Sequence, residues 1–199
     1  MKEQIIRHLS RDPVLRPIID KVEYPEPSQS DDIYGDLLVS IISQQLSGKA
    51  ARTIHDRFLD LFPYRDPSPD RVMAFDLETL RSAGLSRQKA TYVQNVAAFF
   101  ADGAGSRSSW EDMMDEEIVS ILTGIKGVGR WTVQMILMFS LDRPDVFPID
   151  DLGVRQAMIE LYGLQETGKE LRSRLESTAE PWRPYRSVAC KYLWRHKDS

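Results

Sequence analysis

The sequence predicts an all-α protein. Residues that favour helix N-termini, chiefly serine and aspartate, recur along the chain and are followed by apolar residues at helical spacing. No segment shows the sustained apolar and polar alternation that is typical of β-strands. With 199 residues, 42% of them hydrophobic, the chain can bury a sizeable core. Its apolar stretches, such as residues 37–42, are far shorter than the roughly 20 residues of a membrane span, so we do not expect it to be a membrane protein.

Three helix starts are predicted in the first part of the chain. Ser47 and Ser86 each precede a helix as its cap, and Ser68 with Pro69 supplies a cap and a first-turn proline for another. The stretch Asp102–Ser106 is predicted to end the helix that follows Ser86. The apolar residues at helical spacing are Ala50, Ile54, Phe58 and Leu61 after the first start, Val72 and Met73 after the second, and Ala90, Val93, Ala97 and Phe100 after the third.

Five more helices are predicted further along. A short helix opens at Asp115, and the glycines between residues 124 and 129 end it. A strongly apolar helix follows over about residues 130–140. The last three helices span roughly residues 151–162, 170–179 and 185–195, with Gly163 and Pro181 as stops.

Composition limits the chemistry. The net charge is −4, from 26 basic and 30 acidic residues, which alone disfavours a nucleic-acid partner. The single cysteine, Cys190, permits neither an internal disulfide nor a thiolate metal cage, and we expect it to be a small buried residue. The polar N-terminus lacks the apolar core of a secretory signal, so we expect a cytoplasmic protein, nucleoid-associated in a prokaryote and nuclear in a eukaryote.

The most informative segment is Leu122–Thr132, a helix end, a Gly-x-Gly turn and a new helix start. Gly127 and Gly129 allow another molecule to approach the backbone closely, and the N–H groups of a helix N-terminus attract phosphate. Lys126 and Arg130 add positive charge. The turn alone fits a phosphate grip and a ligand-free corner between two helices equally well.

Together with other segments, this turn resembles the helix-hairpin-helix DNA glycosylase superfamily, and within it the 3-methyladenine DNA glycosylase II branch. The resemblance covers most of residues 35–195. The segments that carry it are Leu122–Thr132, Val146–Gly153, Ile41–Ser47, Ala83–Ala90 and Trp182–Ser187.

The resemblance implies two helical lobes with a catalytic cleft between them. The hairpin lobe would comprise residues 35–143, and the second lobe would join residues 1–34 to residues 144–199. It also implies backbone contacts to DNA phosphates at Gly127 and Gly129, with Lys126 and Arg130 beside them. Backbone carbonyls of the hairpin in this family can hold a monovalent cation, which here means Thr123, Ile125 and Val128.

The catalytic acid is predicted from the pair Asp150 and Asp151, which lies about twenty residues after the hairpin. Cleavage of an N-glycosidic bond develops positive charge on the sugar, which a nearby carboxylate stabilises. The family pattern assigns this role to Asp151 and leaves Asp150 as a helix cap or a local structural ligand. A rival interpretation is a magnesium-dependent nuclease that uses Asp142, Asp145 and this pair.

The base pocket is predicted from aromatic residues. Relatives with lyase activity carry a lysine where this chain has Trp131, whose indole face suits a cationic alkylated purine. Trp194 matches a second aromatic pocket position, whereas Met135 replaces a tyrosine of some relatives. Gln45 or Leu46, in the turn before the helix that Ser47 caps, would fill the gap that an extruded base leaves.

The resemblance therefore implies a monofunctional DNA glycosylase that excises alkylated purines, chiefly of the 3-methyladenine type, in base excision repair. The expected partner is damaged double-stranded DNA, bound by a monomer without organic cofactor or structural metal. Two alternatives stay open: a non-catalytic helix-hairpin-helix module that only binds DNA, and a glycosylase for other damaged bases, with or without lyase activity.

Overall fold

The prediction of an all-α protein is confirmed. The computed structural model describes residues 1–27, 30, 32–101 and 108–198, and the chain is 68% helical, with no strand in the described residues. No helix among them has both the length and the apolar character that crossing a membrane requires. The α-helices are α1 (Lys2–Leu9), α2 (Arg16–Lys21), α3 (Ile33–Ser43), α4 (Gly48–Leu59), α5 (Pro69–Ala74), α6 (Leu77–Ser82), α7 (Arg87–Ala101), α8 (Ser108–Glu111), α9 (Asp115–Thr123), α10 (Arg130–Met135), α11 (Leu152–Tyr162), α12 (Gly168–Ala179) and α13 (Arg186–Asp198).

The predicted helix starts agree with the structure to within two residues, although Ser68 precedes α5 without a capping hydrogen bond from its side chain. Ser47 caps α4 through a hydrogen bond from the Ala50 N–H, and the Ser86 hydroxyl accepts from the Lys89 N–H at the start of α7. The apolar helix predicted over residues 130–140 is α-helical only as α10 and continues as a π-helix over Ile136–Ser140, because apolar spacing does not resolve the two hydrogen-bond patterns. The predicted stop at 102–106 lies outside the described residues.

Backbone contacts divide the chain into two units, one comprising Met1–Ser28 with Leu137–Ser199 and the other Gln29–Ile136. The lobe boundaries expected from the resemblance, residues 35 and 143, stay a prediction. In the Gln29–Ile136 unit, α7 packs against α3, α5 and α6, and α9 packs against α10. The inner face of α7 is fully buried because it carries small or branched apolar residues, namely Ala90, Val93, Val96 and Ala97. This unit positions the hairpin and the turn before α4.

In the other unit, α11 and α2 pack against α13, which is buried around Ala189, Cys190 and Leu193. Cys190 is fully buried, as the sequence predicts, and burial raises the pKa of its thiol. This packing places the start of α11 beside the C-terminal part of α13.

The Asp12 carboxylate joins distant parts of the same unit. Its Oδ1 accepts from the Val14 N–H at 2.8 Å, and its Oδ2 accepts from the Tyr162 hydroxyl at 2.7 Å and the Trp182 indole N–H at 2.8 Å. Burial, followed by this bond to Asp12, raises the pKa of Tyr162. Asp12 therefore satisfies two largely buried donors whose sequence positions lie about 150 residues and more from its own.

We expect Asp12→Ala to lower the free energy of unfolding by about 2 to 4 kcal/mol, because it leaves the buried Trp182 donor and the half-buried Tyr162 donor without their acceptor. Urea unfolding followed by circular dichroism measures the loss. Asp20→Ala, at an exposed position of α2, is the matched control and should change stability by less than about 0.5 kcal/mol. Equal losses in the two variants would contradict the role given to Asp12.

Candidate functional site

Asp151 is the N-cap of α11. Its Oδ1 accepts from the Val154 N–H at 2.8 Å, which fixes the carboxylate at the positive end of the helix. The residue is only 8% exposed, which is rare for an aspartate. A buried carboxylate held in one orientation can act on a charge that develops beside it.

Trp194, on α13, holds the same carboxylate from a second direction. Its indole N–H donates to Asp151 Oδ1 at 2.8 Å. Gly153 makes room for this contact, since a Cβ there would lie 3.0 to 3.1 Å from the indole ring. Phe139 stacks on Trp194 with the ring centroids 5.6 Å apart and the planes inclined by 27°. The structure thus joins two residues that the sequence assigns to the site, and adds Phe139.

Lys191 lies one helical turn before Trp194. Its ammonium is 4.9 Å from the centre of the Phe139 ring and 3.9 Å from Asp142 Oδ1. Only 10% of the side chain is exposed, and burial lowers its pKa. A cavity of about 180 Å³ opens here, lined by Pro25, Glu26, Phe139, Lys191, Trp194 and Arg195.

The neighbouring acids have structural partners. Asp150 pairs with Arg172 at 2.7 Å, so of the two roles expected for it the local structural one holds, and the helix cap is Asp151 instead. The physical reason is that α11 begins at Leu152, one residue later than the prediction. Asp145 accepts from Arg183 and Arg186. Within the described residues, no three acidic, histidine or cysteine side chains converge as a metal site.

The hairpin belongs to the Gln29–Ile136 unit. It consists of α9, the turn at residues 124–129 and α10, whose N-cap is Gly129. The turn lies on α7: Gly127 covers the ring of Tyr92, and the Asn95 amide donates to the Lys126 carbonyl oxygen at 3.0 Å. Gly127 has φ 111°, in the region that favours glycine.

The remaining hairpin residues are mostly exposed. The Lys126 side chain points to the exposed surface, and Arg130 pairs with Glu116. Trp131 is 41% exposed in the first turn of α10, whereas Met135 is half-buried. Coordination of a monovalent cation by the backbone of Thr123, Ile125 and Val128 stays a prediction.

The two hairpin glycines are expected to respond differently to substitution by alanine. A Cβ at Gly127 would lie within 3.0 Å of three ring carbons of Tyr92 and adopt an unfavourable φ, whereas a Cβ at Gly129 would meet no atom within 4 Å. Gly127→Ala should therefore lower the free energy of unfolding by about 1 to 3 kcal/mol and the melting temperature by several degrees. Gly129→Ala should change neither. Thermal unfolding of both variants checks this, and equal melting temperatures would contradict the packing of Gly127 on Tyr92.

The turn between α3 and α4 contains Gln45 and Leu46. Gln45 is exposed and adopts φ 58°, and Leu46 is 37% exposed. The Lys89 ammonium, from α7, donates to the backbone of this turn. Sequence reasoning also missed Phe139, Tyr92 and Lys191, because apolar or isolated charged residues in a helix carry no local signal of such contacts.

The sequence matches a known protein family over most of its length. Residues 38–184 match the HhH-GPD superfamily base excision DNA repair protein family. DNA-3-methyladenine glycosylase 1 of Schizosaccharomyces pombe is 35% identical over 164 residues, which cover 81% of this chain and 71% of the relative. The Bacillus subtilis protein YfjP is 34% identical over 169 residues, and the match covers 82% of this chain but 58% of that relative.

The solved structures agree with the sequence relatives. A 3-methyladenine DNA glycosylase of Schizosaccharomyces pombe in complex with abasic DNA superimposes with a TM-score of 0.88 and 31% sequence identity. The match covers 98% of this chain and 97% of the solved one. The likeness therefore extends over nearly the whole chain.

Proposed function

The chain belongs to the HhH-GPD superfamily of base excision DNA repair proteins, and from this premise we propose that it is a monofunctional DNA glycosylase for alkylated purines. It would hydrolyse the N-glycosidic bond of 3-methyladenine-type lesions in double-stranded DNA and leave an abasic site. The likeness over nearly the full chain to a 3-methyladenine DNA glycosylase that binds abasic DNA carries this proposal. The relatives at 30 to 35% identity that bear the same name support it.

Asp151 is the catalytic residue of this proposal. As the bond between sugar and base breaks, positive charge develops on the sugar, and a fixed carboxylate lowers the energy of that state. Two donors hold Asp151 Oδ1, from the Val154 N–H and the Trp194 indole. Because these groups are already oriented, little reorganisation is needed when the charge forms. Asp151 also orients the water that attacks the sugar.

Trp131 and Met135, both on α10, and Trp194, on α13, recognise the base. An indole face attracts a cationic methylated purine more strongly than a neutral one, which gives selectivity for damage that carries charge. No lysine occupies the position of Trp131, so the amine that would attack the sugar in a lyase is missing there. The product would be an intact strand with an abasic site.

In this proposal the hairpin binds the phosphates of the DNA backbone. The N–H groups at Gly127 and Gly129 and at the start of α10 suit a phosphate. Such contacts hold the duplex without reading its sequence. A lesion-scanning enzyme needs this kind of binding.

The salt dependence of duplex binding should be shallow. Several basic residues lie near the starts of α4, α7 and α10. Lys49, Arg87 and Lys126 are exposed, Arg130 pairs with Glu116, and the Lys89 ammonium binds a backbone carbonyl of the protein itself. Since each neutralised phosphate adds roughly −0.9 to the slope of log affinity against log salt, we expect a slope no steeper than about −5. Fluorescence anisotropy titrations over a series of salt concentrations measure it. A slope near −8 would require a basic surface that these residues do not supply.

Strand integrity separates the proposal from its alternatives. A duplex with one methylated purine, incubated with the protein, should be cut only after alkali, and borohydride should trap no covalent adduct. Cutting without alkali together with a trapped adduct would favour a lyase. If the protein binds this duplex but leaves it chemically unchanged, the result would favour a non-catalytic module.

A further inference from the structure

The turn between α3 and α4 is held by a side chain from α7. The Lys89 ammonium donates to the carbonyl oxygens of Ile42 and Gln44, both at 2.7 Å. α3 ends at Ser43, so its last carbonyls have no partner within the helix. An ammonium there satisfies such carbonyls and lies at the negative end of the helix dipole.

These bonds withdraw Lys89 from solvent. The residue is half-buried, and desolvation lowers the pKa of its amine. Lys49, in the first turn of α4, is by contrast exposed. Although both lysines lie near helix starts, only Lys49 presents its charge outward.

The two acceptors of Lys89 lie on either side of Ser43, and the second directly precedes Gln45. Gln45 adopts φ 58°, a conformation that costs a residue with a side chain on the order of 1 kcal/mol. The Leu46 N–H donates to the Ser43 carbonyl at 3.1 Å and closes the turn. Strain of this kind persists only where the surroundings enforce it. Lys89 binds two backbone carbonyls just before the strained residue, one of them on the residue next to it.

We propose that Lys89 is a positioning residue that holds Gln45 and Leu46 in the conformation that fills the gap left by an extruded base. This rests on the proposed function, in which these two residues insert into the duplex. Without the ammonium, the carbonyls of Ile42 and Gln44 turn toward water, Gln45 relaxes to a negative φ, and Leu46 loses its fixed direction. Lys89 then acts on DNA through the turn rather than through a phosphate.

The test compares affinity for a duplex containing a tetrahydrofuran abasic analogue with affinity for an undamaged duplex of the same sequence. In Lys89→Met, the preference for the abasic duplex should fall about tenfold, while affinity for the undamaged duplex and its salt slope stay unchanged. Lys89→Arg keeps donors that reach the carbonyls, so it should recover part of the preference. Lys49→Met removes the same charge from an exposed site and should weaken both duplexes equally.

A double-mutant cycle excludes a general loss of structure. In the Gln45→Ala, Leu46→Ala variant the inserted side chains are absent, so adding Lys89→Met should cause no further loss of preference. Additive losses, an unchanged preference, or equal weakening of both duplexes with a slope shallower by about 0.9 would each overturn the role given to Lys89. If wild-type protein releases no methylated base, the proposed function fails; release by a wild type that binds both duplexes equally would overturn only this inference.

Discussion

Asp151→Asn should lower single-turnover base release at least about a hundredfold, a barrier increase near 2.7 kcal/mol. The asparagine oxygen can still accept from the Val154 N–H and the Trp194 indole, so the cap and the indole contact should persist. What disappears is the negative charge that stabilises the sugar cation. Quenched-flow release of base from a duplex with one methylated purine, with enzyme in excess, measures the effect.

Asp150→Asn is the matched control for that substitution. It removes the same charge one residue away, but Asp150 pairs with Arg172 and 59% of its side chain is exposed. Exposed ion pairs contribute only about 0 to 1 kcal/mol to stability, so the fold should persist. Because Asp150 has no assigned contact with the reacting sugar, the rate of base release should change less than about twofold. A larger loss in Asp150→Asn than in Asp151→Asn would reverse the assignment of the two acids.

Trp131→Ala should slow release of a cationic methylated purine by about tenfold, because the indole contact with a desolvated cation is worth on the order of 1 to 2 kcal/mol. The loss should be smaller for hypoxanthine, a neutral lesion base, because Trp131 has no cation to attract there and only its stacking is lost. Trp131 is 41% exposed, so the fold should tolerate its truncation. Parallel single-turnover rates on the two lesions give the comparison.

Tyr64→Ala is the control for Trp131→Ala. Tyr64 is a large aromatic residue of the same unit and is 96% exposed, outside every contact assigned to DNA. Its removal should leave both rates unchanged. An equal loss on the two lesions in Trp131→Ala would mean that the indole does not sense charge on the base.

Helix positions were predictable from the sequence where a cap and an apolar stripe occur together. Ser47 and Ser86 carry both signals, and α4 and α7 begin as expected. The short helix α6 escaped prediction although Asp76 caps it, because its six residues offer too little apolar periodicity. The change from α10 to a π-helix escaped for a different reason, since it depends on backbone hydrogen bonds rather than on side-chain pattern.

The candidate site was predictable in its members but not in its geometry. The resemblance names Asp151 and Trp194, yet only the folded chain brings their side chains to 2.8 Å. The same holds for Lys89, whose two acceptors precede it by 45 and 47 residues. Contacts over such separations depend on how helices pack, and a single sequence does not report that packing.

The most direct test of the proposed function is the identity of the base that the protein releases. DNA methylated at random with a radiolabelled alkylating agent is incubated with the protein, and the soluble bases are separated by chromatography. We expect free 3-methyladenine as the main product, with strands left intact and with release by Asp151→Asn at least about a hundredfold slower. Absence of any free methylated base, from protein that is folded and binds the DNA, would contradict the assignment as a glycosylase.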